Sequence, residues 1–279
     1  MEKIQAAIAK ARATRDGVVS PLSTIVDPAP TVNIPTTGAS DAVDAAWSNL
    51  TPYIPDMAEL ERSRIVTLAG GRAASPFDVM RTKLLQQMRA NNWRRLAITS
   101  PSAACGKSMI TLNLGFSLAR QTDIRTIVAE LDLRRPSLGK TLGVTQPHSF
   151  ARVLAGEAGL AENALRHSHN LMLATNQSSS RNPAELLNGA GVPSILAGIE
   201  ATYAPDLMIF DMPPMLVSDD AMAFIGQVDC VLLVAAAEAT TIKEIDACER
   251  ELASQTNVMG IVLNKCRYMG PEYGYSYYG

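Results

Sequence analysis

Hydrophobic positions divide the chain into stretches of different rhythm. In residues 1–16, Ile4, Ile8 and Ala11 recur at helical spacing, with Lys3, Lys10, Arg12 and Arg15 around them. That pattern predicts a short amphipathic helix, which needs a docking surface to be stable; a frayed, solvated terminus is the alternative. Residues 17–61 lose the rhythm. Pro76–Ala90 restores it, with Phe77, Met80, Leu84 and Met88 on one side. From Arg95 onward, short apolar runs alternate with helical ones. Arg95–Thr99, Thr126–Leu131, Leu207–Phe210, Asp229–Ala236 and Val258–Leu263 read as strands. Lys107–Gln121, Ala184–Ala197, Asp219–Gly226 and Thr241–Ser254 read as helices, the first with Ile110, Leu114 and Leu118 on one face. Strands alternating with helices predict an α/β fold, a mostly parallel sheet covered by helices on both faces. Sites in such sheets lie beyond the C-terminal strand ends.

Composition changes this picture in three places. Residues 17–61 carry no Lys or Arg, six acids and six prolines. Such a stretch buries too little to offset its ordering entropy and is expected to be an acidic, Pro-rich linker, with one helical turn near Asp41–Asn49. Residues 62–95 reverse the charge, with eight basic residues against Asp78 alone; this face is solvated or serves self-association. Five of the seven tyrosines (Tyr268, Tyr273, Tyr275, Tyr277 and Tyr278) fall in the last 12 residues, where a core role would have scattered them. The 279 residues otherwise have 47% hydrophobic and 19% charged side chains and a net charge of −2. That balance excludes a wholly disordered chain and gives no reason to expect nucleic acid as a partner. No signal peptide is expected, and the longest apolar run, Cys230–Ala237, is too short to span a membrane. Cys105, Cys230, Cys248 and Cys266 form no C-x-x-C pair, so they read as reduced cytoplasmic thiols. His167 and His169 lack a third ligand nearby and read as surface residues.

Three motifs carry candidate chemistry. The first, Thr99-Ser-Pro-Ser-Ala-Ala-Cys-Gly-Lys-Ser108, has the strand–loop–helix order of a phosphate-binding loop. Backbone N–H groups over Ala103 to Met109 would face phosphates at the positive end of the following helix. Lys107 would neutralise β/γ-phosphate charge and the Ser108 hydroxyl would ligate Mg²⁺. Pro101 stands where the strict pattern has its first Gly. The second, Val128-Ala-Glu130-Leu-Asp132-Leu-Arg134-Arg135-Pro136, ends an apolar strand with two carboxylates two residues apart. They are expected on one side, near the metal or as a base for a hydroxyl; a solvated strand end is the simpler alternative. The third, Leu207-Met-Ile-Phe-Asp211-Met-Pro-Pro214, is a hydrophobic strand delivering one Asp, the Walker B arrangement that holds Mg²⁺. Together, in this order, the three point to nucleotide binding.

These residues resemble the bacterial tyrosine kinases of capsule and exopolysaccharide export, in particular their stand-alone cytoplasmic subunits. The resemblance runs from about Ser75 to Gly279. The family's T-S-x-x-P-G-E-G-K-S corresponds to Thr99–Ser108, its I-D-x-D-L-R-R-P to Ala129–Pro136, and its I-I-D-T-P-P to Ile209–Pro214, followed by Asp219-Asp220-Ala221. Asn182–Leu187 is also family-like. Gly260–Lys265 resembles the strand whose Asn, here Asn264, lies near the adenine, with Lys265 beside it. The tail resembles the family's autophosphorylation cluster. The resemblance implies a three-layer P-loop NTPase-like fold over residues 62–267 and a flexible tail over 268–279. It implies ATP and Mg²⁺ as cofactors, with Ser108, Asp132 and Asp211 at the metal. Lys107, Glu130, Asp132 and Asp211 would be catalytic, and the γ-phosphoryl would pass to a tail tyrosine of a neighbouring subunit. A membrane polysaccharide co-polymerase would activate the chain and keep it cytoplasmic but peripheral to the inner membrane.

The sequence departs from the family pattern at Ala104 for Gly, Cys105 for an acid and Glu130 for Asp. Ala104 in a left-handed conformation would cost about 1–2 kcal/mol. The family's E-x-x-R-x-x-R oligomerisation helix maps onto Ser75, Asp78 and Arg81, retaining only the last Arg. A second class of function therefore stands beside the kinase. It is a nucleotide-binding switch, similar to the partition ATPases of the same superfamily, that phosphorylates no tyrosine.

Overall fold

The computed structural model describes residues 37–267. The sequence expectations for residues 1–16 and for the tail tyrosines lie outside these residues. Eight strands form one sheet: β1 (Thr51–Pro52), β2 (Arg95–Thr99), β3 (Thr126–Glu130), β4 (Ala164–His167), β5 (Leu171–Ala174), β6 (Leu207–Asp211), β7 (Cys230–Ala236) and β8 (Asn257–Asn264). Their spatial order is β1-β4-β5-β3-β6-β2-β7-β8. Every pairing is parallel except β4 with β5.

Alternation along the strands makes the two faces. Ile127, Ala129, Met208, Phe210, Val231 and Leu233 point into one apolar cluster. Leu96, Ile98, Val128, Ile209, Leu232 and Val234 point into the other. Both faces are buried, so the strands read as continuous apolar runs rather than alternating ones. The Lys107–Ala119 helix is apolar on nearly all sides and lies on the second face, with Leu112, Leu114 and Phe116 fully buried. Ser75–Asn91 packs outside it. This helix ends at Asn92, whose left-handed conformation (φ 55°) closes the last turn.

Three expectations change. The predicted linker is folded from Thr37: the Thr37–Ser48 helix, β1 and the Met57–Arg62 helix belong to the same unit as the sheet. Trp47 and Leu50 are 2% and 1% exposed in the first core cluster, and Trp47 Nε1 donates to the Tyr203 carbonyl (2.7 Å). A few well-placed side chains outweigh an unpromising composition. Trp47→Ala is expected to cost about 3 kcal/mol. A urea midpoint unchanged by that substitution would restore the linker description. The predicted Ala184–Ala197 helix is two, Pro183–Leu187 and Val192–Tyr203, separated at Asn188–Gly191. The β4–β5 hairpin was not predicted, and His167 lies in it, edge-on to the Phe116 ring at 5.3 Å.

Asp78 and Arg81, placed by the resemblance in an oligomerisation helix, are used within the chain. Asp78 accepts from Ser117 Oγ (2.6 Å) and pairs with Arg120 and Arg81. Burial raises the Asp78 pKa, but these partners outweigh it and hold the carboxyl below its ordinary value.

Candidate active site

The site is assembled at the C-terminal ends of β2, β3 and β6, which are adjacent in the sheet. The loop after β2 turns into the Lys107–Ala119 helix through Ala104 (φ 61°) and Gly106 (φ 94°). Only Gly fits at 106, because a Cβ there would lie 2.2 Å from Asn264 Nδ2. That amide donates to the Cys105 carbonyl (2.8 Å), so the end of β8 clamps the loop. On the other side, Met215 and Leu216 N–H groups donate to the Ser100 and Pro101 carbonyls (2.8 and 3.0 Å). Thr99 Oγ1 donates to the Pro213 carbonyl (2.7 Å). The loop is thus held from both flanks.

Four of the predicted groups, from all three motifs, meet in two contacts. Lys107 Nζ donates to Asp132 Oδ2 (2.8 Å), and both side chains are buried. Ser108 Oγ donates to Asp211 Oδ2 (2.7 Å), with Thr111 Oγ1 3.4 Å from the other oxygen. Burial works against the Lys107 charge, but Asp211, Asp132 and Glu130 outweigh it and hold the ammonium above its ordinary pKa. Burial pushes Asp211 up to about 6, against the pull of Lys107 and Ser108. A cavity of about 390 Å³ opens over this cluster. Ala103, Ala104, Gly106, Lys107, Ser108 and Met109 line one wall, and Asp132, Arg134, Arg135, Pro213, Pro214 and Val217 line the other.

Mg²⁺ fits the Ser108–Asp211 pair, a hydroxyl and a buried carboxylate already in contact. Among the described residues no group of three His, Cys, Asp or Glu side chains could hold a metal unaided. A cation here would complete its shell with phosphate oxygens and water, as Mg²⁺ habitually does.

Known proteins are similar to this chain in sequence and fold. No family model matches the chain. The chain is 29% identical over 205 residues to tyrosine-protein kinase Wzc of Salmonella typhi, covering 71% of this chain and 28% of that protein. It is 24% identical over 205 residues to CapB of Staphylococcus aureus, covering 73% of this chain and 89% of CapB. The solved kinase domain of Escherichia coli tyrosine kinase ETK superposes with a TM-score of 0.63 at 29% identity, covering 74% of this chain and 82% of that one. The chain is similar to bacterial tyrosine kinases. It nonetheless spans only about a quarter of the length of several relatives, 25% of Ptk from Acinetobacter johnsonii and 28% of Wzc. No helix of the described residues is long and apolar enough to cross a membrane.

Against the family pattern, Glu130 needs reassignment. Its Oε1 accepts from the Ser137 and Leu138 N–H groups and its Oε2 from the Asn176 N–H (2.8 Å). It is fully buried and does not line the cavity. Burial pushes this carboxyl up to about 7, against those three N–H groups. Buried outside the cavity, this carboxylate has no access to a substrate proton; with both oxygens on backbone N–H groups, Glu130 shapes the loop that carries Asp132. The expected same-side pairing fails because β3 ends at Glu130, so the two-residue alternation no longer holds at Asp132. Asp132 itself is engaged by Lys107 and by the Arg135 N–H (3.2 Å), which disfavours it as an open metal ligand. Asn264 and Lys265, expected beside the nucleotide base, do not line the cavity. Asn264 holds the loop and Lys265 is exposed. The Cys105 thiol is 2% exposed, 3.6 Å from both Ser102 Oγ and Thr240 Oγ1, a small side chain filling the underside of the loop.

Ala104 carries the strain expected of it. Its φ of 61° is left-handed, where an L side chain costs about 1 kcal/mol. Ala104→Gly is expected to raise stability by about 0.5–1 kcal/mol. An unchanged or lowered denaturation midpoint would show that the loop relaxes without the glycine.

Proposed function

We propose that this chain is an ATP- and Mg²⁺-dependent protein-tyrosine autokinase that acts in exopolysaccharide or capsule polymerisation and export. The observation that carries it is that Lys107 and Ser108 of one phosphate-binding loop contact Asp132 and Asp211 from the two adjacent strand ends. The five tyrosines of residues 268–279 supply the acceptor. The phenol oxygen of a tail tyrosine bonds to the γ-phosphorus as the bond to the β–γ bridging oxygen breaks. ADP leaves, and the phenol proton passes to the Asp132 carboxylate. Lys107 follows the charge that develops on the transferring group. Mg²⁺, held through Ser108 and Asp211, supplies charge neutralisation on the phosphates when bound. The acceptor tyrosine comes from a neighbouring subunit. Self-association draws on the basic 62–95 segment, and several phosphates on the tail would oppose it by mutual repulsion. A membrane-embedded polysaccharide co-polymerase would activate the chain and hold it at the inner membrane.

A second reading, a nucleotide-binding switch without tyrosine chemistry, draws support from the strained Ala104 and from Cys105 in place of an acid. One experiment separates them. The purified chain is incubated with ATP and Mg²⁺, with and without the cytoplasmic segment of its membrane partner, and phosphate is mapped by mass spectrometry. Phosphotyrosine within 268–279 is expected. ATP turnover without it would favour the switch.

A further inference from the structure

We propose that the apolar wall formed by Pro213, Pro214 and Val217 seats the ring of the acceptor tyrosine, and that the Arg134–Asp220 ion pair holds this wall in position. The inference rests on the kinase reading and assigns the part of the cavity that phosphate and metal leave unexplained.

Strand order sets the directions. The phosphate loop follows β2, with β7 and β8 on one flank and β6 and β3 on the other. Asn264 holds the loop from the β8 flank. Lys107, Asp132 and the Pro213–Val217 segment share one cavity on the β6 flank. A group placed on that wall therefore sits next to the lysine and the carboxylate that handle the transferring phosphoryl. Val217 is 60% exposed beside two prolines whose backbone is fixed. The two prolines are buried and back the wall, so its open apolar surface is Val217, and covering that side chain with an aromatic ring removes apolar surface from solvent. A phenol carries its hydroxyl at the far end of the ring, so it can reach Asp132 while its backbone stays outside. A serine or threonine hydroxyl, one bond from Cβ, cannot. The segment that fits is 268–279, with five tyrosines spaced by glycine and other residues.

The wall is anchored at both ends. Its start is bonded to the phosphate loop through Met215 and Leu216. At its far end Ser218 Oγ donates to Asp220 Oδ2 (2.9 Å), and Asp220, 1% exposed, receives both Arg134 Nε and Nη2. Among the described residues Asp220 has no other ion-pair partner. Arg134 lies two residues after Asp132, so the same pair couples the wall to the proton-accepting carboxylate. Arg134 and Asp220 are positioning residues.

The test uses the full chain with its five tail tyrosines changed to alanine, so that its own tail does not compete. The probe is a synthetic peptide of sequence 268–279, titrated calorimetrically in the presence of ADP and Mg²⁺. Val217→Asp is expected to weaken peptide binding by about tenfold or more, with ADP affinity within about twofold. Arg134→Gln is expected to do the same, with partial recovery in Arg134→Lys, which keeps the charge but not the bidentate fork. A peptide with serine at every tyrosine is expected to bind no better to the parent than the tyrosine peptide binds to Val217→Asp. Unchanged peptide affinity in Val217→Asp overturns the proposal, and so does an equal loss of ADP affinity, which would give the wall to the nucleotide base. Val217 is a surface position, so its variant reports even if Arg134→Gln fails to fold. Phosphate transfer from ATP to the peptide is followed in parallel. Binding that depends on Val217 without transfer sinks the kinase reading and leaves the ring seat. Transfer that is indifferent to Val217 sinks the seat alone.

Discussion

Lys107→Met is expected to reduce tail phosphotyrosine by about a thousandfold or more, because the lysine faces the charge that develops during transfer and nothing else in the cavity replaces it. Arg135 also lines the cavity, but its side chain is exposed and its backbone, not its guanidinium, contacts Asp132. The same substitution is expected to destabilise the nucleotide-free chain. Removing Lys107 leaves Asp132 and Asp211 buried without their cation, a situation that costs about 3 kcal/mol. The sign of the pH dependence follows. The Lys107 pKa is raised, so at neutral pH its ammonium contributes in full and would be lost only in strong alkali. In the variant the Asp211 carboxyl rises further and takes up a proton as pH falls. The stability deficit should therefore be largest at pH 8 and shrink toward pH 5. Melting curves across that range, with phosphate mapping at pH 7.5, check both parts. Wild-type levels of tail phosphotyrosine in Lys107→Met would sink the assignment of this loop as the transfer site.

What the sequence could show depended on whether a signal was local. The phosphate loop was legible because strand, loop and helix follow one another over Arg95–Ala119. Asp211 was legible because a buried strand that ends in one carboxylate is conspicuous, as at Leu207–Asp211. Parallel order was legible because helices separate the strands. Glu130 was not, because its partners, the N–H groups of Ser137, Leu138 and Asn176, come from two loops that only the fold brings together. The two-residue rule that paired Glu130 with Asp132 also presumes a strand longer than the one present. Only one turn was expected near Asp41–Asn49 where the Thr37–Ser48 helix lies, because what holds that helix is tertiary, the Trp47 contact with the Tyr203 carbonyl across 156 residues. The four-residue strands β4 and β5 were missed because each is too short to establish a period. The Arg134–Asp220 pair was visible only as two separate motif fragments; nothing in the spacing joins residues 86 positions apart.

Asp211→Asn should separate stability from function with opposite signs. In the metal-free chain the Asp211 carboxyl is pushed by burial from 3.8 to about 6, a shift worth about 3 kcal/mol of disfavoured ionisation. The folded state holds this proton more tightly than the unfolded one between those values. Stability from this group is therefore present at low pH and lost as pH rises through about 4 to 6. An asparagine has no charge to bury, and its carbonyl oxygen can still accept from Ser108 Oγ. It gives up the attraction of Lys107, which keeps Asp132 as its partner. The net expectation is a gain of about 1–2 kcal/mol at pH 8 in chelator, vanishing near pH 4, where both side chains are neutral. Activity should move the other way. Without a carboxylate beside Ser108 the site loses the charge that suits Mg²⁺, so phosphotyrosine formation should fall by about a thousandfold. The stabilising effect of ATP with Mg²⁺ on the melting temperature should shrink with it. Chelator melts at pH 4, 6 and 8 and the same melts with ATP and Mg²⁺ distinguish the outcomes. A variant less stable than wild type at pH 8 would mean that Asp211 is chiefly a structural ion-pair partner of Lys107. A variant that is more stable and still fully active would remove Asp211 from the metal site.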